Sequence, residues 1–303
     1  LSLVPAGDER NRKHNLRLLI ACPDRRGLIS AVSSFISMHD GNILSADQHV
    51  SPAEDGVEGD AESRFFMRIE IEGAGFGVGR EEFPGSFAPL ARRHGMDWRV
   101  SYTDAPKRMA ILVSRHGHCL LELLWRWEAG DLAAEIPLVV SNHPDLRERV
   151  EAHGIPFYYL PVTKETREEQ ELEMLRLLEE HAVDLVVLAR YMQVLGADVV
   201  EAYRNRLINI HHSFLPAFVG ADPYRRAHER GVKIIGATAH YVTEDLDAGP
   251  IVHQDVAHVT HRDAVEDLVR LGSEVERRTL ARAVRWHLED RVIVAGNRTV
   301  VFE

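Results

Sequence analysis

Residues Leu185–Leu188 read LVVL, apolar at every position, which is the pattern of a strand buried on both faces of a parallel sheet. Three further short apolar runs lie in the same part of the chain: MAILV at 109–113, IPLVV at 136–140 and FYYL at 157–160. Amphipathic stretches separate them, among them a predicted helix over 166–181. Strands alternating with helices predict a mostly parallel open sheet wrapped by helices. In such sheets ligands bind beyond the carboxyl ends of the strands, near the point where strand order reverses. Just upstream, TDAPK at 103–107 places a proline after a small polar cluster, directly before the MAILV strand, and reads as a linker.

Ahead of that linker the order changes to strand, helix, strand, strand, helix, strand, a ferredoxin-like split βαβ. LRLLIA at 16–21 is the first strand, expected to stop at Pro23. Residues 28–38 form the first helix, with Leu28, Val32, Phe35 and Ile36 on one face and Gly41 as the stop signal. Strands follow at 43–50 and 64–71, on either side of the acidic loop SPAEDGVEGDAE at 51–62, read as a solvated turn. The predicted fold class is therefore α/β: a ferredoxin-like βαββαβ domain over 13–104, then a mostly parallel open sheet over 108–303 ending in a strand-like tail.

Bulk composition narrows the function classes. The 303 residues are 45% hydrophobic and 27% charged, the balance of a globular protein. A formal charge of -11 sets up a field that repels phosphate polymers and anionic lipid, so neither nucleic acid nor a membrane surface is an expected partner. No apolar run reaches the ~18 residues of a spanning helix. Cys22 and Cys119 are the only thiols and form no CxxC pair, which suits a reducing, cytoplasmic location. The chain opens on Leu1 rather than Met, and its first twelve residues are given no weight in the fold.

Chemistry-bearing side chains concentrate in residues 207–254, LINIHHSFLPAFVGADPYRRAHERGVKIIGATAHYVTEDLDAGPIVHQ. A short strand at 207–210 places Asn209, His211, His212 and Ser213 at or just past its carboxyl end. A loop, a helix near 224–230, a strand at 234–241 and a turn at 244–249 follow, and that turn brings Asp247 back toward the first strand's end. An Asn N–H can hold an oxygen on which negative charge develops, worth ~3 to 4 kcal/mol of barrier. A His can donate or accept a proton near neutral pH, and a neighbouring Asp can fix its tautomer or activate a water. These types suit acyl transfer from a formamide-like donor without a covalent nucleophile. The same residues could instead be a turn cap, two satisfied strand-end histidines and a turn-shaping Asp. His211, His212, His240, Asp247 and His253 match neither HExxH nor a Cys/His finger, so no metal is expected.

The string Asn209-Ile210-His211, then Ser213-Phe214-Leu215-Pro216 and Asp247-Ala248-Gly249-Pro250-Ile251, resembles the signature of formyltransferase-fold enzymes that use 10-formyltetrahydrofolate. The longer strings NIHHSFLPAF, GVKIIGATAHYV and AGNRTVVF are similar to the formyltetrahydrofolate deformylase family. That resemblance implies Asn209, His211 and Asp247 as the catalytic trio, with Thr238 and His240 behind them. It also implies that Arg190, Tyr191, Met192, Gln193, Val194 and Leu195 belong to the folate pocket. The folate is then a substrate, hydrolysed to tetrahydrofolate and formate for purine biosynthesis or to reset the folate pool, and no cofactor is expected. In the mechanism this implies, Asp247 orients or deprotonates a water while Asn209 and a protonated His211 stabilise the oxyanion.

The nearest rival in the superfamily is glycinamide ribonucleotide formyltransferase, which needs a phosphate cradle after the first strand. Here that turn reads Ser114-Arg115-His116-Gly117-His118-Cys119-Leu120, with bulky residues intruding. His212 replaces the proline usual in the transferases, restoring a backbone N–H and adding an imidazole able to position water or the leaving formate. Cys22-Pro23-Asp24-Arg25-Arg26-Gly27-Leu28 and Asn42-Ile43 resemble the ACT family of amino-acid-sensing domains. This implies an effector site at Asp24, Gly27, Leu28 and Asn42 for an amino acid such as glycine or methionine, and a homo-oligomer. A catalytically silent amino-acid sensor is the rival from another class. Two residues depart from the deformylase pattern: Asp222, where a basic residue is common, and Ser141, where Gly is usual.

Overall fold

The computed structural model describes residues 15–52, 63–163, 165–216 and 223–303, in two compact units divided between Pro106 and Lys107. The first unit contains β1 (Leu16–Pro23), α1 (Leu28–Met38), β2 (Asn42–Ser51), β3 (Arg64–Glu72), α2 (Phe83–His94) and β4 (Asp97–Tyr102). Its four strands pair antiparallel in the order β2-β3-β1-β4. Alternation builds the core: Leu16, Leu18, Ile20 and Cys22 of β1 and Phe65, Met67, Ile69 and Ile71 of β3 face one side of the sheet. There they meet the apolar stripes of α1 (Leu28, Val32, Phe35, Ile36) and α2 (Phe83, Phe87, Ala91). β1 runs through Pro23 rather than stopping before it, with Pro23 opposite Arg64 at the last rung, where a missing N–H interrupts no central ladder bond. Most of the acidic loop, residues 53–62, lies outside the described residues, as do Asp222 and residues 1–14.

The second unit starts with β5 (Lys107–Val113), α3 (His118–Glu128), β6 (Ala134–Glu135), β7 (Val139–Ser141), α4 (Arg147–Glu151), β8 (Phe157–Tyr159) and α5 (Arg167–Glu180). It continues through β9 (Leu185–Leu188), α6 (Ala197–Ala202), β10 (Leu207–His211), α7 (Pro223–Arg230), β11 (Ile234–Tyr241), β12 (Ile251–His258) and α8 (Val265–Leu288). A hairpin of β13 (Val292–Ala295) and β14 (Arg298–Val301) follows. The main sheet runs β12-β11-β10-β9-β5-β7-β8, parallel from β8 to β10 and antiparallel over β11 and β12. From β5 the chain builds outward through β7 and β8, then returns to the other side of β5 for β9 and β10. Strand order therefore reverses between β5 and β9.

LVVL is buried at all four positions, with Leu185 and Val187 in one apolar cluster and Val186 and Leu188 in another on the opposite face. Of the strand expected at 136–140 only 139–140 is strand, within β7, which pairs with the end of β5. Residues 136–138, around a Pro137 that cannot donate to a ladder, are not in a strand, and the separate β6 before them pairs with the start of β5. Two elements among those that the sequence patterning does not mark out complete this unit. β12 closes the antiparallel edge, and α8 buries Val275, Leu280, Val284 and Leu288 in the main core and Leu268 in a second cluster.

Candidate active site

Strand register and one turn bring the predicted trio into reach of one another. On β10, Asn209 sits opposite His240 of β11 and His211 opposite Thr238, while Asn209 is level with Leu188 of β9. Asp247 reaches them from the turn between β11 and β12. Its backbone is left-handed, with φ 56°, a conformation that L residues adopt only where the surroundings impose it. Gly249 makes the turn possible, because a Cβ there would lie 1.9 Å from the Tyr241 carbonyl oxygen.

The turn delivers a carboxylate shared by two imidazoles. His211 Nδ1 lies 3.1 Å from Asp247 Oδ2 and His240 Nε2 lies 3.6 Å from Oδ1. The hydrogen bond from His211, then the adjacent His240 ring, hold the Asp247 carboxyl well below the usual carboxylate range although it is half-buried. His240 Nδ1 is 2.9 Å from the Tyr241 carbonyl, a contact that assigns the ring's proton to Nδ1. Its Nε2 then accepts from Asn209 Nδ2 at 3.3 Å, which orients the amide. His211 is 7% exposed and its Nε2 is buried with no hydrogen-bond partner. A buried, unpaired ring nitrogen is costly unless something else occupies its direction in the working state.

Asn209, His211, His212, His240 and Asp247 all border a cavity of about 490 Å³. Its opposite wall is the segment after β9, in which Arg190 to Leu195 all take part. Exposed Met192 and Val194 on this side and Leu246 on the other give the mouth apolar lips. Tyr191 turns its hydroxyl to Gln170, whose Nε2 donates at 3.2 Å, and burial pushes that phenol up to about 12. Ser114, at the end of β5, clamps the same segment: its N–H donates to the Arg190 carbonyl at 3.2 Å and its Oγ accepts from the Met192 N–H at 3.0 Å. Ser114 Oγ in turn donates to Asn142 Oδ1 at 2.7 Å, and Ser141 Oγ accepts from the His143 N–H at 3.1 Å, so Ser141 caps the strand-end turn.

Thr238 is placed differently from the other expected binding residues. It is fully buried, and its hydroxyl donates to the Ser213 carbonyl at 2.9 Å while accepting from the Leu215 N–H and from Gln254 Nε2. It holds the 213–215 loop and does not line the cavity. His212 does line it, with its ring 5.2 Å from that of His211; burial, then the nearby Arg190 charge, lowers its pKa to about 4 and leaves the imidazole neutral.

Several residues absent from the expected set surround this centre. Glu276 of α8 is 1% exposed and accepts hydrogen bonds from Tyr224 Oη at 2.6 Å and His118 Nε2 at 2.8 Å, with Arg190 Nε 3.5 Å away. His118, Cys119 and Glu276 form a group with metal-ligand proximity among the described residues. Their contacts are explained without an ion, since Glu276 is already engaged by a cation and two donors and burial pushes the Cys119 thiol up well above its ordinary range. No signal in the sequence sets Glu276 apart from the other glutamates, and only the fold buries it and supplies its partners.

In the first unit, Asp24, Gly27 and Leu28 border a hollow of about 770 Å³ at the start of α1, with Gln48, His49 and Phe65 across it. Asn42 is not there. It pairs with Glu72 at the opposite end of the sheet, and its Nδ2 donates to Glu72 Oε2 at 3.0 Å. The β2 and β3 ladder, whose length sequence proximity does not reveal, separates the two.

Comparison with known proteins agrees with this architecture unit by unit. Residues 107–284 match the formyl transferase family and residues 16–75 the ACT domain family. The formyltetrahydrofolate deformylase of Bacillus subtilis (strain 168) is 52% identical over 286 residues, spanning 94% of this chain and 93% of that protein. The crystal structure of a formyltetrahydrofolate deformylase from Pseudomonas syringae pv. tomato str. DC3000 superposes with a TM-score of 0.91 at 48% identity, covering 97% of this chain and 96% of that one. Glycinamide ribonucleotide transformylase 1 from Symbiobacterium toebii is more distant, with a TM-score of 0.62 at 32% identity over 65% of this chain and 95% of its own. Full-length similarity of this kind, through both units and at such identity, makes the chain a member of the formyltetrahydrofolate deformylase family.

Proposed function

We propose that this protein hydrolyses 10-formyltetrahydrofolate to tetrahydrofolate and formate, with Asn209, His211 and Asp247 at the formyl carbon. The observation that supports the site best is the buried, unpartnered His211 Nε2 at the cavity wall, backed by an Asp247 carboxylate on Nδ1. Asp247, held ionised far below neutral pH, is a weak base, so its role is to fix the His211 tautomer and to stabilise the imidazolium once it forms. His211 Nε2 then takes a proton from the attacking water. The Asn209 amide, held by His240 through one N–H, offers its other N–H to the formyl oxygen as charge develops there. The tetrahedral centre collapses, the C–N bond breaks, and the folate nitrogen recovers the proton from His211. This differs from the sequence expectation, in which Asp247 itself served the water.

The apolar lips at the cavity mouth suit a heteroaromatic ring such as a pterin, which supports a folate lying against residues 191–195 and the 244–247 turn. No cofactor or metal has a role in this scheme. For the first unit, the proposed boundaries are 13–104, with the catalytic unit over 108–303. The hollow at Asp24, Gly27 and Leu28 is proposed to take an amino-acid effector such as glycine or methionine, in a homo-oligomer located in the cytoplasm. Among the described residues no helix is long and apolar enough to cross a membrane.

The test is formate release from 10-formyltetrahydrofolate with and without glycinamide ribonucleotide, for the wild type and Asp247→Asn. Release is expected to ignore the nucleotide, and the variant is expected to lose on the order of 10³-fold in kcat with substrate binding retained. Formyl transfer only when the nucleotide is present would replace this reading with the transferase; no turnover under either condition would favour the sensor.

A further inference from the structure

Glu276 has no part in the scheme above, yet it is among the most deeply buried charged groups in the chain. Burial alone would push its carboxyl up; His118, Arg190 and Tyr224 outweigh that and hold it below the ordinary value, so it is an interior anion. The fold is shaped to keep it there. Gly272 lies one helical turn before Glu276, and a Cβ at that position would sit 2.1 Å from Tyr224 Oη, the group that donates to Glu276. The cation that balances it is Arg190, which also lines the catalytic cavity.

Arg190 is itself tightly specified. Its backbone has φ 65°, its carbonyl is fixed by the Ser114 N–H, and its side chain is only 12% exposed. It lies two residues past Leu188, which is level with Asn209, and it shares the wall of one cavity with His211 and His212. Its side chain is far less exposed than those of Met192, Val194 and Leu246 at the mouth. A guanidinium there has a fork of donors suited to the two oxygens of a carboxylate. Hydrolysis creates one carboxylate at that depth: the formyl carbon gains the water oxygen, loses its bond to nitrogen, and the resulting formic acid gives up its remaining proton to solvent.

We propose that Arg190 is the formate-binding group of the active site and that Glu276, which does not reach the cavity, is the positioning residue that aims it. This rests on the hydrolase reading. The carboxylates of a folate tail are solvated groups suited to the open side of the lips, whereas Arg190 is nearly buried in the wall that also carries His211 and His212. Glu276, Tyr224 and His118 thereby couple α8, α7 and α3 to the orientation of one arginine.

Product inhibition separates the possibilities. For the full-length wild type, Arg190→Met, Glu276→Gln and Tyr224→Phe, the inhibition constants of sodium formate and of tetrahydrofolate are measured against 10-formyltetrahydrofolate at fixed ionic strength. Arg190→Met is expected to raise the formate constant roughly 10- to 100-fold and to leave that of tetrahydrofolate within about twofold. Glu276→Gln, and more weakly Tyr224→Phe, are expected to raise the formate constant in the same selective way; Tyr224→Phe keeps the test informative if the buried Gln variant fails to fold. A tetrahydrofolate constant that rises in step would assign Arg190 to the folate and overturn the proposal. An unchanged formate constant in Arg190→Met would overturn it as well, and a selective change in Arg190→Met alone would remove Glu276 from it. A wild type that releases no formate at all would instead refute the hydrolase reading.

Discussion

His211 and His212 are adjacent in sequence and opposite in circumstance. His211 is given a carboxylate on one nitrogen and an open direction on the other, whereas His212 has burial and a neighbouring arginine, which keep it neutral. The sign of its effect on stability follows. Between its ordinary value of 6.5 and its folded value of about 4, the unfolded chain binds a proton that the folded chain does not. Stability therefore falls as pH drops through this window and levels off below it. His212→Gln should flatten the decline in urea midpoint between about pH 7 and about pH 5. An unchanged slope in the variant would mean that His212 is not buried in its neutral form.

At the scale of elements, the strand β11 and the turn after it act together. Tyr241 places its carbonyl against Gly249 on one side and accepts from His240 Nδ1 on the other, while its N–H donates to the Pro250 carbonyl at 2.9 Å. Any atom added at Gly249 must displace this carbonyl or the turn, and with either move go the His240 orientation and the left-handed Asp247. Gly249→Ala is expected to destabilise by roughly 1–3 kcal/mol and to lower kcat by considerably more than that loss of stability explains. Calorimetry together with steady-state kinetics on the same sample would show it; a variant that melts early but turns over normally would detach the turn from the chemistry.

The whole molecule has separate interiors. The cluster built on β1, β3, α1 and α2 shares no residue with the clusters of the second unit, and Phe87 lies at its centre, stacked on Phe83 and edge-on to Phe35 and Trp98. Truncating it leaves a cavity in one interior only. Phe87→Ala should cost about 3–5 kcal/mol in the first unit and lower one calorimetric transition while leaving another in place. A single transition that shifts as a whole would show that the two units unfold as one.

Much of this was legible in the sequence because it depends on local order. Runs such as LVVL and MAILV are apolar on both faces wherever they are placed, and the alternation in β1 and β3 implies a helix-covered sheet without further information. The grouping of the three side chains was partly legible: Asn209 and His211 share a strand end, and Asp247 lies in the turn after the strand that pairs with it, while their role came from the resemblance. What the sequence could not determine is which distant side chains share one interior. Residues 136–138 around Pro137 fell outside a strand that composition alone favoured, Asn42 was carried to the far end of its sheet, and Thr238 was turned to the 213–215 loop instead of the cavity. The pairing of Arg190 with Glu276 joins positions 86 residues apart, brought together by sheet order and by the path of α8. Charges at such separations acquire partners only when the tertiary fold excludes water from between them, and that exclusion is a property of the packed molecule rather than of any stretch of its chain.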